Sequence, residues 1–147
     1  MSEYQLSQEI IKLSNATDWN TARAEWALEK VFIQGQPSQC LCGQFPIKEI
    51  CVLRNRLNGN RAEVGNVCVH QFLGLPSRKI FAALERIGDD ESKALNAEAI
   101  EHAHASKWIN DWERDFYLDT WRKRSLSSKQ LAKRQQINRL VLRNTKR

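Results

Sequence analysis

All four cysteines of the chain, Cys40, Cys42, Cys51 and Cys68, fall between positions 40 and 68. Cys40-Leu41-Cys42-Gly43 is a short knuckle, two thiolates close in sequence followed by a glycine that lets the backbone turn around a metal. Cys68 follows shortly after Gly65, where a chain leaving a strand would pass back beside the knuckle. Thiolates at such spacing suit zinc, which takes four tetrahedral ligands in a structural site and keeps one position open in a catalytic one. Two residues compete for the fourth place, Cys51 and His70.

The elements that must position these thiols can be read around them. Residues 47–54 are rich in β-branched and apolar types, Asn58-Gly59 is a strong hairpin signal, and residues 61–65 can return as the second strand. With Asn58-Gly59 as a two-residue turn, Leu53 faces Val64, Cys51 faces Asn66 and Glu49 faces Cys68, all on one face of the hairpin. Cys51 and Cys68 then stand as diagonal neighbours about 7–8 Å apart, a gap that two side chains around an ion can bridge. If Cys68 instead opens a helix, His70 points about 200° away from it and is the weaker candidate. Cys51 also fits as a small buried apolar residue of a strand.

Outside the hairpin the spacing predicts helices. Thr17-Asp18 reads as a cap before Trp19, Ala22, Trp26, Lys30 and Ile33 at helical spacing, giving a helix over 18–33 that Gly35 and Pro37 end. Pro76-Ser77 opens a helix with Ile80, Leu84 and Ile87 on one face. Asn96 can cap the next, with Leu95 and Ile100 as a hydrophobic staple, and Asn110 with Glu113 has capping-box spacing that brings Trp112 and Phe116 together. His102 and His104, two apart on a helix, cannot chelate one ion from one face and read as surface side chains. A last helix over 128–143 follows Ser125-Leu126-Ser127 and places Leu131, Ile137, Val141 and Leu142 on one arc, with Lys129, Lys133, Arg139 and Arg143 on another.

Charge is distributed unevenly. The 147 residues carry a net +6, yet residues 121–147 hold ten Lys and Arg and no Asp or Glu, so the remainder is net acidic. A concentrated positive potential suits nucleic-acid phosphates, DNA or RNA, or an acidic protein face. Arg54, Arg56 and Arg61, with Asn58 and Asn60, could add contacts at the hairpin tip. No apolar run approaches the roughly 18 residues of a membrane span, and Met1-Ser2-Glu3-Tyr4 does not open a secretion signal. The expectation is a cytoplasmic protein, where a reducing milieu favours thiol ligands over disulfides. Phosphate loops, His-Glu-x-x-His and Gly-x-Ser-x-Gly motifs are missing, so no enzyme is predicted.

The run Cys-Leu-Cys-Gly…Pro-Ile-Lys…Leu-Arg-Asn-Arg…Asn-Gly-Asn…Val-Gly-Asn-Val-Cys…Phe, residues 40–72, resembles a zinc-ribbon-like element in small proteins of bacteria and their phages. Trp112-Glu113…Phe116…Leu126-Ser127-Ser128-Lys129-Gln130 is similar to a segment that follows the finger in those proteins. Together the two stretches cover about half the chain. The resemblance implies a metal-bound module in a mobile-element setting, and His70 lies outside its motif. The expected fold is α+β, mostly helical, with one zinc-stabilised hairpin flanked by helices. The expected organisation is an N-terminal helical segment over 1–37, the zinc-ribbon-like hairpin with its following helix over 38–90, and a basic helical segment over 91–147. Two functions compete: a zinc-binding, nucleic-acid-binding module, or a protein-binding adaptor or inhibitor acting on an acidic partner in phage defence or counter-defence.

Overall fold

A computed structural model describes residues 3–147. The fold is α+β, about half helical, with one three-stranded antiparallel sheet in the order β1-β2-β3. The chain forms two compact units, Met1–Arg78 with Arg147, and Lys79–Lys146. Among the described residues no helix is long and apolar enough to cross a membrane.

The first unit begins with α1 (Glu3–Lys12), which the sequence reading did not foresee and which buries Leu6 and Ile10. The helix expected over 18–33 is corrected: only α2 (Trp19–Arg23) forms, capped by Asp18, whose carboxylate accepts from the Thr21 amide at 3.0 Å. The chain then extends as β1 (Trp26–Ser38) beside β2 (Ile47–Asn55). The strand is not regular, with a register shift between Leu28 and Lys30. An irregularity of this kind breaks the period of two. Trp26 and Val31, an odd number of positions apart, are thereby both buried, which a regularly alternating strand would not allow.

Glu25 fixes where β1 starts. Its carboxylate accepts from the Asn55 side-chain amide and from the Asn15 and Ala16 backbone amides, each at 2.8 Å. Asn55, fully buried, in turn accepts from the Leu57 and Asn58 amides with its side-chain oxygen. Asn55 and Asn60 close the hairpin through the Asn55 amide on the Asn60 carbonyl at 2.8 Å, with Gly59 at φ +77° inside the loop. The turn therefore holds four residues rather than two. Leu53 faces Ala62 and Cys51 faces Val64 across to β3 (Arg61–Gly65), a register displaced by two from the expected one. A shift of two preserves the side-chain face. Cys51, Leu53 and Val64 accordingly stay together in the core. After β3 come α3 (Asn66–Cys68) and a π-helical turn over Val69–Leu73.

The second unit holds most of α4 (Ser77–Asp89), then α5 (Ala97–Ala105), α6 (Asp111–Thr120) and α7 (Ser128–Thr145). The caps read from sequence are present: Asn96 accepts from the Ala99 amide, and Asn110 with Glu113 forms a capping box. A further box, Ser127 with Gln130, opens α7. Its interior is tied by one polar network. The Tyr117 hydroxyl donates to the Asn138 side-chain oxygen at 2.6 Å and accepts from the Leu95 amide at 2.9 Å. The Asn138 amide donates to the Glu91 and Lys93 carbonyls at 2.8 Å each. Every member is satisfied, the condition under which a buried polar network stabilises a unique packing.

Two outcomes follow for stability. Tyr117→Phe strands the Leu95 amide and the Asn138 oxygen in the core, so a urea titration should show the second unit losing about 1–3 kcal/mol. In the first unit, the Asn55 side-chain hydrogen bond, then the Asn15 amide, hold the Glu25 carboxyl below its usual range. A carboxyl depressed by folding contributes stability above its unfolded pKa of about 4.3, and that contribution is lost as pH falls toward the folded value. Glu25→Gln should therefore flatten the acid limb of the stability profile below about pH 5 relative to wild type.

Candidate metal centre

Cys40, Cys42 and Cys68 converge in the first unit, their Sγ atoms all within 4.8 Å of one another and each residue at most 3% exposed. An ion with tetrahedral bonds of about 2.3 Å sets sulfur atoms about 3.8 Å apart, so only a small contraction separates this cluster from a ligand set. The buried group can hold a metal ion.

Local geometry explains the convergence. The knuckle closes on itself through the Gly43 amide on the Cys40 carbonyl and the Cys40 amide on the Gln44 carbonyl, both at 2.9 Å. Gly43 sits at φ +94°, and a Cβ there would lie 2.8 Å from the Gln5 side-chain oxygen on α1. The positive φ favours glycine, whereas the Gln5 side-chain end could swing aside for a Cβ. The third thiol arrives because β3 ends at Gly65 and runs directly into α3, whose last residue is Cys68.

Electrostatics at the cluster set the condition on which the thiols can ionise. The Cys42 and Gly65 amides donate to Cys40 Sγ at 3.5 and 3.2 Å, contacts that stabilise thiolate over thiol. Burial nevertheless pushes the Cys40 and Cys68 thiols up from their ordinary value. Three sulfurs this close cannot ionise together in a buried site unless a positive ion compensates them.

The other residues singled out in the sequence lie elsewhere. Cys51 is fully buried on β2 outside the three-thiol group, with the Ser77 side chain as its hydrogen-bonding neighbour and its thiol pushed up to about 12 by burial. It is a core residue of the sheet. His70 is exposed on the π turn, with Arg78 Nη1 3.4 Å from its Nε2, and is likewise outside the group. At the hairpin, Arg54 is exposed, whereas Arg61 forms a two-point ion pair with Glu29 and Arg56 donates to the Ala24 and Glu25 carbonyls.

In the second unit, the arc of α7 expected to be a free basic stripe is partly neutralised. Arg139 is bidentate on Glu91 at 2.6 and 2.9 Å, and Lys133 sits 3.9 Å from Glu113 and over the Trp112 ring. Lys129 and Arg143 remain exposed and make no ion pair among the described residues. His102, read as a surface residue, is buried and packs edge-on against Trp108 with ring centroids 5.5 Å apart. His104 does lie toward the surface, 2.7 Å from Asp111.

A shallow pocket opens beside the thiols, lined by Cys40 and Cys68 together with Gln44, Glu49, Gly65 and Asn66. Glu49 and Asn66 were legible only as hairpin residues sharing the face of Cys51. Comparison of the chain with protein-family models, with curated proteins and with solved structures gives no match.

The centre makes a direct prediction. Under reducing conditions the protein should take up about one zinc per chain, the capacity of one tetrahedral site. Cys68→Ser should abolish uptake and His70→Ala should leave it intact, as read by elemental analysis after gel filtration. Loss of metal in the His70 variant alone would show that the ligand set is misassigned.

Proposed function

We propose that the protein is a zinc-stabilised module that binds nucleic acid through a basic turn in its helical unit, consistent with the mobile-element setting that the zinc-ribbon-like resemblance implies. The observation that carries this reading is how the ten cations of residues 121–147 divide. Arg134 is buried on the Thr120 and Ser92 carbonyls, and Lys133, Arg139 and Arg147 face carboxylates. Arg122, Lys123, Arg124, Lys129, Arg143 and Lys146 are exposed and, among the described residues, make no ion pair.

Four of those six lie within eight consecutive residues, from the end of α6 to the first turn of α7. The Arg122 guanidinium lies 4.7 Å from the centre of the Trp121 ring, which sets an aromatic surface beside the cations. Unpaired cations interleaved with an aromatic suit a phosphate backbone with stacked bases better than they suit carboxylates on a folded protein. The ion at Cys40, Cys42 and Cys68 serves the first unit by joining the knuckle to the end of β3, so removing it costs order in that unit.

The test is a salt titration of fluorescence anisotropy with duplex DNA, single-stranded DNA and RNA. Each phosphate neutralised contributes roughly 0.7–0.9 to the slope of log K against log salt. Replacing Arg122, Lys123, Arg124 and Lys129 by Gln should flatten that slope by about three units and weaken binding to all sequences alike. Arg139→Gln should leave the slope unchanged, because its charge is already matched by Glu91. Failure of the wild-type protein to bind any of the three at low salt would reject the nucleic-acid reading and leave an acidic protein as the partner of the same turn.

A further inference from the structure

The donor set around the three thiols is incomplete, and the structure accounts for each candidate to complete it. Cys51 is fully buried in the sheet core beside Ser77, and His70 lies in the open against Arg78. Among the described residues no fourth His, Cys, Asp or Glu donor stands within 4.8 Å of the three sulfurs together. What does adjoin them is the pocket, with Cys40 and Cys68 in its lining and the exposed residues Gln44, Lys48 and Val67 also along it.

The pocket is built with orientation. The Ser77 hydroxyl donates to the Asn66 side-chain oxygen at 2.7 Å, which fixes the amide so that its nitrogen faces the Glu49 carboxylate at 3.5 Å. A carboxylate in the lining of the same pocket as two of the sulfurs is the kind of outer partner that can hold a metal-bound solvent by hydrogen bond. Structural sites are closed by four protein ligands, whereas sites with three protein ligands keep the fourth position for solvent or an incoming molecule.

We propose that an ion held by Cys40, Cys42 and Cys68 keeps its fourth coordination position open to the pocket walled by Glu49 and Asn66, and takes there a small monodentate nitrogen or oxygen donor from solution, solvent in the resting state. This rests on the metal-binding reading above. Three thiolates make the ion soft and electron-rich, so the incoming ligand binds by exchange for solvent, with no change in the oxidation state of the metal and no bond to the protein.

Cobalt(II) substituted into the full-length protein under anaerobic, reducing conditions reports the site directly. The sulfur-to-cobalt charge-transfer band scales with the number of Co–S bonds, and the visible d–d bands respond to the fourth ligand. The expected result is a charge-transfer intensity of three Co–S bonds, the same in Cys51→Ala as in wild type, with d–d bands that shift saturably as imidazole is added. Intensity of four Co–S bonds that drops by one in Cys51→Ala would overturn the inference, because Cys51 would then close the site. A spectrum indifferent to imidazole would also overturn it, and alteration of that spectrum by Glu49→Gln would identify the carboxylate itself as fourth ligand. Absence of any cobalt spectrum would fell the metal reading itself, a failure distinct from the other two. The imidazole titration is done on the wild-type protein and so does not depend on how well the Cys51 variant folds.

Discussion

Three sulfur atoms held within 4.8 Å of one another, out of water, set the constraint around which the first unit is arranged. As neutral thiols they are small apolar groups; as thiolates they repel one another and require a cation. The backbone meets the cluster at one point in particular. Gly65 ends β3, donates its amide to Cys40 Sγ, and has so little room that a Cβ would come 3.3 Å from Ile47 Cδ1. Strand pairing and thiol convergence therefore share a residue. A sheet in the wrong register would carry Cys68 away from the knuckle, and a misplaced knuckle would leave the end of β3 without its sulfur partner.

Much of this was written in local sequence and some of it was not. The hairpin, the helix caps at Asp18, Asn96 and Asn110, and the pairing of the knuckle with Cys68 depend on residues near one another or on alternation, and all three features are present. β1 was hidden because its strand character depends on β2, which follows an intervening loop, and because the irregularity near Glu29 interrupts the alternation that would have marked a strand. The turn length was hidden because Asn55, outside the Asn-Gly pair, uses its side chain to hold two loop amides and so widens the loop.

The candidate sites divide in the same way. Cysteine spacing identifies donors, but it cannot say which of two further residues joins them; Cys51 is buried in the middle strand outside the three-thiol group, and His70 is exposed. Counting charges identified a basic segment, but each cation's role depends on which carboxylate or carbonyl the fold brings to it. Arg134 and Arg139 lie five residues apart on α7, and one is buried on carbonyls while the other is exposed on Glu91. Periodicity separates their exposure, since Arg134 shares the buried stripe of Ile137, Asn138 and Val141 and Arg139 does not, but it cannot name their partners, Thr120 at the end of α6 and Ser92 and Glu91 in the connection after α4.

The network centred on Asn138 bears on how the second unit moves. The segment from Glu91 to Leu95 has no regular secondary structure, and a surface connection of that kind ordinarily opens locally at little free-energy cost. Here its carbonyls are held by a side chain of α7 and its Leu95 amide by one of α6. The segment cannot open while both helices stay in place. Amide exchange at Leu95 should consequently track the slowest protons of α6 and α7, making an irregular connection part of the same cooperative foldon as the helices around it.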